Sequence, residues 1–132
     1  MNVNKLLLLE KALYNYDGTI RFLSTNKSSK KSNSRVGEDG DIEVPCIKGD
    51  SLREAFTFIK MDIEGSEKEA LDGLNQTIKR YKPKLAICIY HFQSDFWEVP
   101  LKIKEIEPTY NLKIRNHKKM DNLMETIVYA WK

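Results

Sequence analysis

Two short apolar runs stand out along the chain, one on each side of a stretch with helical periodicity. Residues 56–63 and 85–90 have the length of strands that are covered on both faces, as in a parallel sheet. Between these runs, apolar residues recur at helical spacing, at Ala70, Leu71, Leu74 and Ile78. The pattern therefore predicts a strand, a helix and a second strand that form a βαβ unit with a right-handed crossover.

The ends of this helix carry recognisable signals. Gly65 breaks the first strand, and Ser66 and Glu69 have the spacing of a capping box, in which the two side chains satisfy free backbone N–H groups. We expect the helix to run to about Arg80, because Pro83 follows shortly afterwards and cannot continue it.

The first 55 residues predict a β-rich segment. Residues 6–9 are leucines and are interpreted as a strand, and residues 12–16 and 19–23 flank Asp17-Gly18, a strong hairpin signal. The polar stretch 24–41 predicts a flexible loop.

A further strand is predicted at 42–47, where Pro45 suits the edge of a sheet. Asp50 is expected to cap a short helical turn that extends to Ala55.

The last third of the chain predicts a helix followed by two strands. Ser94 or Asp95 can cap a helix that runs to about Ile106, and Pro100 is tolerable only in its first turn. Apolar and polar residues then alternate over 110–115, and 126–131 is apolar, so an antiparallel pair joined by a polar turn at 116–122 is expected.

Composition fits a single domain over residues 1–132, with a β-rich part at 1–55 and a βαβ unit plus C-terminal strands at 56–132. The chain is 41% hydrophobic and 31% charged, and no apolar run approaches the roughly 20 residues of a membrane span. Its net charge is only +3, and the basic cluster Lys27, Lys30, Lys31 and Arg35 reads as a solvated loop. We therefore expect neither a membrane nor a nucleic-acid partner.

The cysteines and the N-terminus favour a cytoplasmic protein. Cys46 and Cys88 each lie in an apolar run, which is typical of small buried hydrophobic residues. The opening residues have too short an apolar region for a secretory signal.

The candidate chemistry follows the two strands of the βαβ unit. Asp62 and Glu64 come after the first strand and His91 after the second, so all three should lie at the same rim, where such sheets bind ligands. His91 can accept a proton near neutral pH, but a lone histidine is as often structural. Glu64 and Glu67 have an alternative role, because carboxylates favour a helix N-terminus. No metal is predicted, because Asp62, Glu64 and His91 lack a fourth ligand.

Five segments, in this order, resemble FkbM-type S-adenosylmethionine-dependent methyltransferases. They are 11–14 (KALY) with Asp17-Gly18 and Phe22, 59–67 (IKMDIEGSE), 82–87 (KPKLAI), Tyr90-His91 with 95–101 (DFWEVPL), and 125–130 (ETIVYA). The resemblance implies an α/β fold: an incomplete class I methyltransferase sheet, Rossmann-like, with a β-rich N-terminal part and an antiparallel C-terminal strand pair. The family's glycine-rich cofactor turn has no counterpart in this sequence, so the resemblance covers the C-terminal part of the catalytic domain.

The resemblance also implies roles for individual residues. Asp62 and His91 would form the reaction centre, and S-adenosylmethionine would contact Ala12, Leu13, Asp62 and Glu64. The acceptor would be a sugar or natural-product hydroxyl, and its candidate contacts are Lys60, Tyr90, Asp95 and Trp97. From the residues alone, Lys60 could also pair with Asp62, and Tyr90 and Asp95 could orient His91. Trp97 could form an apolar wall of the site, but its assignment from the residues alone is to the core.

Two expectations follow from the missing segment. The chain alone should bind S-adenosylmethionine weakly or not at all, and the alternative function is a non-catalytic interaction module or inactive remnant. The strand at 58–63 should have an exposed edge, which is a liability in an apolar strand. Either an N-terminal strand, 6–9 or 42–47, covers this edge, or a homodimer or complementing chain pairs with it.

Overall fold

The computed structural model describes residues 6–23, 35–118 and 123–132, which form a mixed α/β structure with two four-stranded sheets. In chain order the elements are β1 (Ala12–Tyr14), β2 (Gly18–Leu23), β3 (Arg35–Val36), β4 (Ile42–Lys48), a short 3-10 helix (Gly49–Leu52), β5 (Phe58–Met61), α1 (Glu67–Gly73), α2 (Asn75–Tyr81), β6 (Lys84–Cys88), α3 (Asp95–Ile106), β7 (Asn111–Asn116) and β8 (Thr126–Trp131). None of the helices in the described ranges is long and apolar enough to cross a membrane.

The first sheet has the strand order β1-β4-β2-β3, so the predicted hairpin of β1 and β2 is wrong. β4 lies between them, parallel to β1 and antiparallel to β2. The Asp17 carboxylate explains the difference, because it accepts hydrogen bonds from Lys48 N–H (2.7 Å) and Ser51 Oγ (2.6 Å). The turn residue is therefore tied to the end of β4 and does not close a two-residue hairpin.

Two further predictions for the N-terminal part need correction. Leu6 to Leu9 form no strand and are exposed, because no neighbouring strand pairs with them in the described structure. Arg35–Val36, inside the predicted loop 24–41, is strand β3 and pairs with β2, whereas residues 24–34 lie outside the described part.

Pro45 lies in a strand with neighbours on both sides, yet its own position is locally an edge. β1 pairs with β4 only from Cys46 onward, so β2 alone lies beside Pro45. The missing N–H of proline therefore disrupts no pairing with β1.

Asp50 caps a different helix from the one expected. It lies inside the 3-10 helix, and its carboxylate accepts hydrogen bonds from Gln76 N–H (3.1 Å) and Thr77 N–H (2.8 Å). Both N–H groups lie in the first turn of α2, where they have no acceptor within the helix itself. Asp50, which follows β4 closely, therefore links the end of the first sheet to α2.

The second sheet has the order β5-β6-β8-β7 and confirms the βαβ unit and the C-terminal strand pair. β5 and β6 are parallel, and β8 is antiparallel to both β6 and β7. The single predicted helix is two short helices that meet at Leu74. α3 has the predicted bounds, but Pro100 lies beyond its first turn, contrary to expectation.

The core lies between this second sheet and the helices. Its buried members come from β5 onward, and the largest include Met61, Leu71, Ile78, Ile87, Ile103 and Tyr110. Both cysteines are buried and free, as predicted.

The prediction that an N-terminal strand covers β5 is wrong. Among the described strands only β6 pairs with β5, and β4 belongs to the first sheet. The backbone of β5 therefore presents an edge that no described strand covers.

Candidate functional site

The carboxyl ends of β5 and β6 bring the predicted chemical residues to one rim. Asp62 follows β5, and Tyr90 and His91 follow β6 closely. The turn after β5 is unusual, since Glu64 has φ of 57° and Gly65 has φ of 92°. Side chains rarely adopt the φ of Gly65, and a Cβ atom there would also lie 2.2 Å from Phe92 Cε2, so a substitution at Gly65 would be strained. Such left-handed backbone in a non-glycine residue is costly and often accompanies functional sites.

The imidazole ring of His91 has carboxylates near both of its nitrogens. Its Nε2 is 3.4 Å from Asp62 Oδ1 and 3.8 Å from Glu64 Oε2, and its Nδ1 is 3.2 Å from Glu67 Oε1. Burial lowers the pKa of His91, but the contact with Glu67 and the charges of Glu64 and Asp62 outweigh it, so the pKa is raised above its usual value. The surrounding carboxylates therefore make His91 a stronger base than an ordinary histidine.

Glu67 is the buried member of this group. Its side chain is 1% exposed, and Oε1 accepts a hydrogen bond from Ile63 N–H at 2.9 Å. The predicted capping box is absent, because the Ser66 side chain makes no cap hydrogen bond. Instead, Glu67 reaches back toward the turn after β5, as expected for a side chain at a helix start.

Tyr90 holds Asp62 in place. Its hydroxyl donates to Asp62 Oδ1 at 3.0 Å, and its ring centroid lies 4.4 Å from that of His91. Burial and the Asp62 carboxylate raise the pKa of Tyr90, so the hydroxyl keeps its proton. Burial, with Asp62 nearby, also raises the pKa of the Cys88 thiol to about 12, which makes Cys88 an inert core residue.

Three predicted acceptor contacts make no hydrogen bond or ion pair with this group in the described structure. Lys60 is exposed and forms no ion pair with Asp62 in the described structure. Asp95 is buried and accepts a hydrogen bond from Phe92 N–H at 3.0 Å, so it fixes the start of α3 and interacts with His91 through its charge alone. Trp97 is exposed on α3, which contradicts its assignment to the core.

Ala12 and Leu13, the predicted cofactor contacts, lie in β1 and pair with Cys46 and Ile47. Leu13 lines a cavity of about 240 Å³ along β5, together with Phe56, Phe58, Ile59 and Leu74. The structure therefore places Leu13 near the strand that leads to Asp62, in a cavity that the carboxylates around His91 do not line.

Sequence reasoning missed the part played by Glu67. It was interpreted as one of several acids at a helix start, but it is buried and faces His91. The available signal was its position as the first residue of α1, where a side chain points back along the chain toward the preceding turn.

Asp62, Glu67 and His91 also merit a test as metal ligands, since their ligand atoms lie within 4.8 Å of one another. The geometry does not fit one ion. Asp62 and Glu67 face opposite nitrogens of the ring, so the imidazole separates them. As arranged, the three groups form an ion-pair cluster.

Comparison with known proteins points to one family. A family model described as "Methyltransferase FkbM domain" matches residues 8–129. The crystal structure of methyltransferase FkbM from Methylobacillus flagellatus KT is similar, with a TM-score of 0.63 and 38% sequence identity over 67% of this chain. The match covers 24% of that longer chain, so the present chain spans about a quarter of its relative. A search of curated proteins gives no significant match.

Proposed function

Because the chain belongs to the FkbM methyltransferase family, we propose that it serves S-adenosylmethionine-dependent methylation of a hydroxyl group. The acceptor would be a sugar or another natural-product hydroxyl, a small molecule or a glycan. Asp62 and His91 form the reaction centre in this proposal. The observation that carries it is their 3.4 Å contact at the carboxyl ends of two parallel strands, where sheets of this kind bind ligands.

The charge of the rim supports a positively charged cofactor. Asp62 and Glu64 remain partly open to solvent, with side chains 38% and 53% exposed. When bound, S-adenosylmethionine supplies an activated methyl group on a positively charged sulfur. Two accessible carboxylates beside one histidine give the rim net negative charge, which would attract this cation.

The chain's own residues would handle the acceptor and its proton. His91 Nε2 would accept the hydrogen bond of the acceptor hydroxyl and take its proton as the oxygen gains the methyl group. Asp62, which Tyr90 keeps in position, would stabilise the imidazolium that forms. Lys60 and Trp97, both exposed, would contact the outer parts of the acceptor.

The sheet is proposed to be part of a Rossmann-like class I methyltransferase fold. The parallel pair β5 and β6 with α1 and α2 between them supports this assignment. Leu13 lines a cavity along β5, so β1 can contribute Ala12 and Leu13 to the cofactor side. Further cofactor contacts would come from polypeptide outside these 132 residues. Two buried free cysteines support a reducing, cytoplasmic location.

Calorimetry with the purified chain tests the proposal. We expect S-adenosylmethionine to bind with a high-micromolar or weaker constant and up to about tenfold more tightly than neutral S-adenosylhomocysteine, because one charge interacts with the rim. Asp62→Asn should remove most of this preference. Asp72→Asn is the matched control, since Asp72 is an exposed carboxylate on α1 that pairs with Lys102.

Two results would count against this account. Equal binding of the charged and neutral ligands would contradict the acidic rim as the cofactor site. Low-micromolar binding would contradict the claim that further contacts lie outside the chain.

A second candidate function is an interaction module that pairs through β5. Its support is the edge of β5, which no described strand covers, and the exposed Phe58 upon it. A homodimer or a complementing chain would add a strand there. Light scattering with hydrogen exchange at Ile59 and Met61 tests this idea, and a monomer whose amides exchange freely at these two positions would refute it.

A further inference from the structure

We infer that Glu67 is the positioning residue of His91: its buried carboxylate holds the proton on Nδ1 and leaves Nε2 facing the rim as the proton acceptor. This inference rests on the proposed function for the role of Nε2. The contact between Glu67 and His91 is independent of that role and can be measured separately.

The position of the His91 ring relative to the three carboxylates is the first support for the inference. Glu67 Oε1 lies 3.2 Å from Nδ1, whereas Asp62 and Glu64 both lie on the Nε2 side. Nδ1 is buried and makes no well-aligned hydrogen bond with any described residue, so the Glu67 carboxylate at 3.2 Å is the acceptor that faces it. A carboxylate can only accept, so a proton on Nδ1 faces this buried acceptor, whereas a proton on Nε2 faces the more exposed Asp62 at 3.4 Å and leaves Nδ1 and Glu67 with facing lone pairs.

Burial separates Glu67 from the other two carboxylates. Asp62 and Glu64 are partly exposed, so water screens their charges, whereas the Glu67 side chain is 1% exposed. The Ile63 N–H donates to the same oxygen and fixes its position. Glu67 therefore acts on the imidazole from a fixed, poorly screened site.

The competing explanation is that Glu67 merely stabilises the start of α1. A capping carboxylate would accept from N–H groups in the first turn of the helix. Glu67 instead accepts from Ile63, four residues before it and in the turn after β5. Its contacts thus connect that turn with the residue that follows β6, which a helix cap would not do.

The groups that face the ring come from several elements. Asp62 and Glu64 belong to the turn after β5, Glu67 to α1, and Tyr90 precedes His91. Asp95 on α3 also lies close enough to interact electrostatically with His91 and Glu67. Among these groups, Glu67 is the one within 3.2 Å of Nδ1, so it is the one that can select the tautomer.

Nitrogen-15 NMR of the purified chain tests the inference. The sequence has only two histidines, so His117→Gln assigns the signals. Above the titration of His91, we expect its neutral ring to carry the proton on Nδ1. Glu67→Gln should lower the pH at which His91 titrates and reduce the Nδ1–H population. Glu64→Gln, which also removes one carboxylate, should have a smaller effect on the titration and leave the tautomer unchanged.

A neutral His91 protonated on Nε2 in the original chain would overturn the inference. So would equal effects of Glu67→Gln and Glu64→Gln. If Glu67→Gln does not fold, Glu67→Asp withdraws the same charge by one methylene and should give a smaller shift in the same direction. No methyl transfer is needed in this experiment, so its failure is distinguishable from a failure of cofactor binding.

Discussion

The two sheets of the chain are stabilised in different ways. The second sheet covers a continuous apolar core whose buried members run from Met61 to Ala130. Of the buried apolar residues in the described part of the chain, the strands of the first sheet contribute only Ile20 and Cys46. The first sheet is instead attached by close and polar contacts, such as those of Gly73 and Asp50. The region with the larger core also holds the candidate reaction centre, as expected for a site that needs rigid support.

The largest expected effect is a core truncation in the second sheet. Ile87 is fully buried in β6, so Ile87→Ala should lower the free energy of unfolding by about 3–4 kcal/mol. Ile20→Ala removes the same atoms from the thinner first sheet and should cost about 2 kcal/mol or less. Urea unfolding measures both variants, and equal losses would contradict the contrast between the two sheets.

The next effect concerns the contact between α1 and β1. A Cβ atom at Gly73 would lie 2.0 Å from the Tyr14 carbonyl oxygen, so Gly73→Ala must push β1 away. We expect a net loss of about 1–3 kcal/mol despite the better helix propensity of alanine.

Gly18→Ala is the matched control for Gly73→Ala. The nearest atoms to its new Cβ, in the Tyr16 ring, are at an ordinary 3.4 Å. The free energy of unfolding of the Gly18→Ala variant should therefore change little. A Gly73→Ala variant as stable as the original chain, with unchanged hydrogen exchange in β1, would show that the contact does not hold the first sheet.

A smaller effect is expected where Asp50 caps α2. Asp50→Ala leaves the N–H groups of Gln76 and Thr77 without their acceptor and should cost about 1 kcal/mol. Asp39→Ala removes a carboxylate from an exposed pair with Arg35 and should be nearly neutral. Thermal unfolding of the two variants decides the matter, since equal melting temperatures would rule out the capping role.

The smallest expected effect is on the pH dependence of stability, and it comes from Glu107 at the end of α3. Lys82 and the Thr109 hydroxyl hold the pKa of the Glu107 carboxyl at about 2, below its usual 4.5. The contribution of this group is therefore present above about pH 4.5 and is lost as the pH falls toward 2.

Glu107→Gln should flatten this acid-side loss of stability. Urea midpoints measured between pH 2 and 7 test it against the original chain. Parallel curves for the two proteins would contradict a stabilising contact between Lys82 and Glu107.

The same contrast explains what the sequence could predict. β5, β6, α3 and the C-terminal pair were predicted well, because apolar runs and periodicity report burial in the large core. The first sheet was predicted poorly, because β4 pairs between β1 and β2, and a local turn signal such as Asp17-Gly18 cannot reveal a strand inserted from far along the chain. In the site, Asp62 and His91 were predicted to meet, since parallel strands share a rim. Glu67 was missed because its burial depends on packing that periodicity does not show.

Backbone NMR of the chain with S-adenosylmethionine tests the central claim, that the rim of the second sheet is the site of the chemistry. At millimolar ligand, we expect the amide signals of Glu64, Gly65 and His91 to shift, and those of Ile20 and Val44 in the first sheet to remain in place. The Asp62→Asn variant should shift less at the same ligand concentration. Shifts confined to the first sheet, or an unchanged rim at saturating ligand, would contradict the account.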